Sequence, residues 1–176
     1  WVLGEVEEVL SVLEETQLTV QSILGSRYVA PLLADAEAWE RKLRCFSDAL
    51  DEWLALQHSW MYLEAIFSAA DIQRQLPREL KLFAGVDTMW RALMRRVHND
   101  PTALRQATHP GVLENLQRGK ATLDEVQKRL EEYLETKRAA FPRFFFLSND
   151  ELLEMLAETR NPQAVQPHLI KCFDAL

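Results

Sequence analysis

The chain has 176 residues, 48% of them hydrophobic and 27% charged, with a formal net charge of -7. That length buries a sizeable core, and the acidic balance is the opposite of what phosphate neutralisation usually uses, so no nucleic-acid partner is expected. No apolar run approaches the roughly 20 residues that cross a bilayer and none has signal-peptide organisation, so no membrane-spanning segment and a soluble region are expected.

With only 5 Gly and 7 Pro, an all-α fold is expected, an elongated multi-helix bundle of successive antiparallel helices. A first helix spans residues 2 to 24, with Val2, Val6, Val9, Leu10, Leu13, Val20 and Ile23 at helical spacing, and Gly25-Ser26 ends it. A second, unusually long helix starts near Pro31 and carries Trp39, Leu43, Phe46, Leu50, Trp53 and Trp60 towards Phe67, with a bend near Ser59. Asp71 to Pro77 reads as a connector, Pro77 suiting the first turn of the next helix. That helix presents Phe83, Val86, Trp90 and Val97 and stops at Asn99-Asp100-Pro101. After a poorly periodic stretch to Gly111, a helix runs from Leu123 to Ala139. Another spans Ser148 to Thr159, stopped by Asn161-Pro162. Val165 to Pro167 makes a short turn, and a last helix begins near His168.

The richest stretch is Phe141-Pro142-Arg143-Phe144-Phe145-Phe146-Leu147-Ser148-Asn149-Asp150-Glu151. Pro142 has no backbone donor and pushes Phe141 out of the helical region, which ends the helix before it. Ser148 reads as an N-cap with Glu151 closing a capping box, and Leu147 with Leu152 as a hydrophobic staple. Burying each of Phe144, Phe145 and Phe146 is worth about 2–3 kcal/mol, so at least two of them should plug an interface. The segment is a candidate structural joint, made of Pro142, Phe144, Phe145, Phe146, Ser148 and Glu151 and dividing sub-bodies 1–140 and 148–176 at 141–147.

No catalytic, cofactor-binding or metal-binding residue is read from this sequence. Gly119-Lys120-Ala121-Thr122 lacks the hydroxyl directly after lysine that a phosphate-binding loop needs for magnesium, so it reads as a loop between helices. His168 and Cys172 lie four apart, but a structural zinc site needs four ligands. Cys45 and Cys172 read as buried free thiols. Paired carboxylates such as Glu131-Glu132, and the basic clusters Arg41, Lys42, Arg44 and Arg91, Arg95, Arg96, read as solvated helix faces. Trp39, Trp53, Trp60 and Trp90 are candidate core anchors. The opening on Trp1 without an initiator methionine, and the stop at Leu176 inside an amphipathic pattern, read as a slice of a larger protein.

Three stretches carry a family resemblance. The run Leu56-Gln57-His58-Ser59-Trp60-Met61-Tyr62-Leu63-Glu64-Ala65-Ile66-Phe67, the run Phe141 to Glu154, and the run Val165 to Phe173 resemble, in the family's order along the chain, the linker region of axonemal dynein heavy chains. The resemblance covers about Trp39 to the end, with one departure at Ala65, where related chains carry proline. It implies that the whole of 1–176 is part of a linker, a non-catalytic helical lever lying on the AAA+ ring of a larger motor chain. ATP and magnesium would belong to that parent chain. Its partners would be the ring, dynein intermediate and light chains, and microtubules, in the cytoplasm at the axoneme of a cilium or flagellum. A static scaffold or spectrin-like tethering bundle is the alternative.

Overall fold

A computed structural model describes residues 1–157 and 162–173. Among the described residues the chain is all-α, without strands: α1 Glu7–Leu24, α2 Leu33–Phe67, α3 Ala70–Gln75, α4 Pro77–Asn99, α5 Ala103–Ala107, α6 Val112–Ala140, α7 Asn149–Ala157 and α8 Pro162–Cys172, with short 3-10 helices at Ala30–Leu32 and Pro142–Phe146.

The chain forms two compact units. The first comprises Trp1–His58 and Met89–Lys120, the second Ser59–Thr88 and Ala121–Leu176. In the first, Leu13 of α1 joins Leu43, Phe46, Ala49 and Leu50 of α2 and Ala107 of α5 in one core cluster. Its entry is tied by Gln57, whose side-chain amide accepts from the Leu3 N–H at 2.7 Å and donates to the Leu3 carbonyl at 2.9 Å. In the second, the rings of Phe67 and Phe83 stack with centroids 5.3 Å apart. The Trp60 indole N–H donates to Asp87 at 3.0 Å, giving the polar end of a half-buried ring a partner.

Several expectations need correction. The weakening near Ser59 does not break the helix, and α2 runs on through it for 35 residues. Leu56, Ser59 and Leu63 are all buried. Their spacing of three and four carries one buried stripe through the serine, so the helical hydrogen bonding continues there. The connector before Pro77 contains the short helix α3. The Val165–Pro167 turn is absent, because α8 spans that stretch with Pro167 inside it. The expected extension of α7 to Thr159 and the stop at Asn161 lie outside the described residues.

Gly119-Lys120-Ala121-Thr122 is not a loop either. It lies inside α6, 29 residues long. Val112, Leu116, Leu123, Val126, Leu130 and Leu134 are all buried, and Gly119 falls on their stripe. A Cβ at Gly119 would come within 2.9 Å of Met89 Cε and 3.3 Å of Leu56 Cδ1. The glycine sits at a close approach, where a side chain would displace the end of Met89 and press on Leu56, against a helix cost of about 1 kcal/mol for glycine itself. Gly119→Val should destabilise the first unit by about 1–3 kcal/mol through overpacking, measured by chemical denaturation. A variant as stable as the parent would show that Leu56 and Met89 give way freely. Ahead of α6, Gly111 takes φ +80°, a left-handed conformation that glycine adopts without strain.

Candidate functional site

The joint between α6 and α7 is built from both ends. Phe141 leaves α6 in an extended conformation at φ -137° and ψ 92°, as a residue before proline should, and Pro142 opens the 3-10 turn. At the far end the capping box closes reciprocally. The Ser148 N–H donates to Glu151 Oε2 at 2.9 Å, and the Glu151 N–H donates to Ser148 Oγ at 3.2 Å. Leu147 and Leu152, either side of the cap, are both buried.

The aromatic plug differs from expectation. Phe144 is half-buried, but Phe145 is 62% and Phe146 69% exposed. A tight 3-10 turn repeats every three residues rather than 3.6, so three consecutive side chains fan out around it and only one faces inward. Phe144 meets Phe141 edge-on, centroids 4.8 Å apart.

Two arginines, not the phenylalanine run, supply the polar contacts. Arg138, on the last turn of α6 and only 8% exposed, donates through Nη2 to the Leu147 carbonyl at 3.1 Å and through Nη1 to Glu135 at 2.8 Å. It spans the turn and satisfies a buried acceptor just before the α7 cap. Arg143 donates through Nη1 to the Cys172 carbonyl at 2.7 Å, and its guanidinium lies 4.5 Å from the centroid of the Phe173 ring. The Cys172 thiol donates in return to the Arg143 carbonyl at 3.5 Å. The 3-10 turn is thereby locked onto the end of α8. Neither arginine carried a signal at the level of spacing; Arg143 was visible only as part of the motif.

The remaining candidates are dispersed. Trp53 and Trp90 are buried and Trp60 half-buried, whereas Trp39 is 47% exposed, with Lys42 Nζ 5.2 Å from its ring centroid. Its indole covers a helix surface rather than a core, a correction that periodicity could not foresee, because only the neighbours decide which stripe is covered. Arg41 and Arg44 pair along α2 with Glu37 and Glu40 at 4.0 and 3.7 Å. Arg96 departs from the solvated-face reading: it is half-buried and donates to Gln106 Oε1 at 2.9 Å. Cys172 is buried and Cys45 half-buried, both as free thiols. Buried His168 faces Glu154 at 3.5 Å. The described residues contain no cluster of three or more His, Cys, Asp or Glu placed to hold a metal, and no helix long and apolar enough to cross a membrane.

The family profile described as dynein heavy chain, N-terminal region 2, matches residues 1–176. The chain belongs to the dynein heavy chain family. It is 53% identical over 176 residues to dynein axonemal heavy chain 6 of Homo sapiens, covering 100% of this chain and 4% of that protein. Identity to dynein axonemal heavy chain 2 of Homo sapiens is 48% over 168 residues, 96% of this chain and 4% of that one. For dynein axonemal heavy chain 3 of Mus musculus it is 45% over 175 residues, 99% and 4% respectively. The chain thus spans about 4% of the length of these relatives.

In this dynein chain the capping box is also a titratable contact. Lys171 of α8 donates to Glu151, and that bond, followed by the Ser148 N–H, brings the Glu151 carboxyl down to about 2 from an ordinary 4.5. A depressed carboxylate favours the folded state above its ordinary value, so this contribution is complete above about pH 4.5 and fades as pH falls towards 2. Glu151→Gln should remove that part of the acid sensitivity, read from denaturation midpoints across this window; an unchanged profile would mean the contact is not populated in solution. Ser148→Ala should cost about 1 kcal/mol through the lost cap.

Proposed function

We propose that the chain is a mechanical linker segment of an axonemal dynein heavy chain, a lever that couples ATP-driven changes of an AAA+ ring to movement along microtubules. The observation that carries this reading is the match along the whole chain to axonemal heavy chains, joined to an architecture of three helices of 35, 23 and 29 residues. Long helices resist bending, and the break at 141–147 is tied by hydrogen bonds rather than left loose. Within the second unit, α7 packs against α3 as well as α8, which supports a firm seat for the segment after the joint. The segment is non-catalytic. ATP and magnesium act at sites elsewhere in a longer motor ATPase, which works with intermediate and light chains at the axoneme of a cilium or flagellum.

The test is a heavy-chain motor lacking the segment that corresponds to 1–176. It should still hydrolyse ATP at the basal rate but no longer move microtubules, and the 176-residue chain alone should show no micromolar ATP binding by calorimetry. Normal gliding by the deleted motor would favour a static scaffold. Micromolar binding of ATP to the chain would overturn the non-catalytic assignment.

A further inference from the structure

The second unit carries a cleft of about 640 Å³ between the C-terminal turn of α2, the α2–α3 connection and α7. Its size is that of a binding groove rather than a packing defect. Four alanines, Ala65, Ala69, Ala70 and Ala157, line it, so its walls leave room for larger side chains from outside. Ile66 and Leu153 supply branched apolar surface. Beside Tyr62, Ser68 and Ile72, the wall carries two carboxylates. Asp150 and Glu154, one turn apart on α7, are on the lining, and no lysine or arginine is among the described lining residues. Asp150 accepts from the Tyr62 hydroxyl at 3.2 Å. Burial first, and then the Asp150 charge, push that phenol up to about 12.

We infer that this cleft is a docking groove for a protein segment that inserts bulky apolar side chains against the alanine walls and sets flanking lysine or arginine residues against Asp150 and Glu154. Charge complementarity selects this occupant. A second copy of the chain is disfavoured by the net charge of -7, and an apolar ligand without cations would leave the Asp150 charge at the groove unused, while Glu154 already faces His168 at 3.5 Å. Apolar anchors in a groove supply affinity, while the charged rim sets orientation and rate. The inference does not depend on the lever reading.

The test is selection of a random peptide library displayed on phage against the 176-residue chain, followed by anisotropy titration of the enriched peptides. Enriched sequences should combine large apolar residues with lysine or arginine. Ala65→Phe, which fills the groove from an exposed position, should weaken them at least tenfold, and Asp150→Asn with Glu154→Gln should weaken them severalfold and flatten their salt dependence. A circular dichroism spectrum unchanged by Ala65→Phe separates a filled groove from a misfolded chain, and a variant with an altered spectrum is replaced by Ala69→Phe. Peptides that bind the filled variant equally, that lack basic residues, or that fail to enrich would overturn the inference. So would self-association of the chain that Ala65→Phe abolishes, which would assign the groove to a second copy.

Discussion

Trp90→Ala should destabilise the chain by about 3–5 kcal/mol, the largest single effect among its tryptophans. Trp90 is 1% exposed, so removing the indole leaves a cavity that surrounding helices cannot fully close. Trp39→Ala should cost about 1 kcal/mol or less, because nearly half of that ring already faces solvent and its contact with Lys42 is an exposed one. Urea denaturation of the two variants beside the parent measures the difference directly. Equal losses would mean that both rings share one environment in solution, contrary to their burial here.

Arg138→Met should be the most damaging change at the joint. The methionine keeps an apolar stem of similar length but removes the guanidinium, leaving the Leu147 carbonyl without its buried donor. A lost partner for a buried backbone acceptor costs about 1–3 kcal/mol. Phe145→Ala, in contrast, should change stability by no more than about 0.5 kcal/mol, because that ring is mostly exposed. This reverses the order expected from the phenylalanine run alone. In a heavy-chain motor carrying Arg138→Met, displacement per ATP should fall more than basal hydrolysis, since the lever softens while the ATP sites are untouched. A motor with normal displacement, in a chain whose joint is shown to be destabilised, would separate the joint from force transmission.

The sequence by itself determined the features that depend on a residue and its near neighbours. Pro142 ends α6 through its own ring, Ser148 and Glu151 close their cap across three residues, and Pro77 opens α4 because a first-turn residue needs no donor. The all-α class followed from the same local signals, and family membership was legible in three ordered motifs. Features that depend on distant residues were not. Gly119 looked like a loop because glycine is a weak helix former, and only Met89 and Leu56 close by explain why it sits within α6. Trp39 and Trp90 lie on equally good stripes, yet only one stripe is covered by other helices. Phe144, Phe145 and Phe146 are alike in sequence, and the 3-10 turn, locked by Arg143 onto α8, decides which ring turns inward. Arg138 gained its role only when Leu147 folded back to it across the turn. Capping and proline effects act over a few bonds and can be read in order, whereas burial is a property of the space between elements and exists only once they have packed.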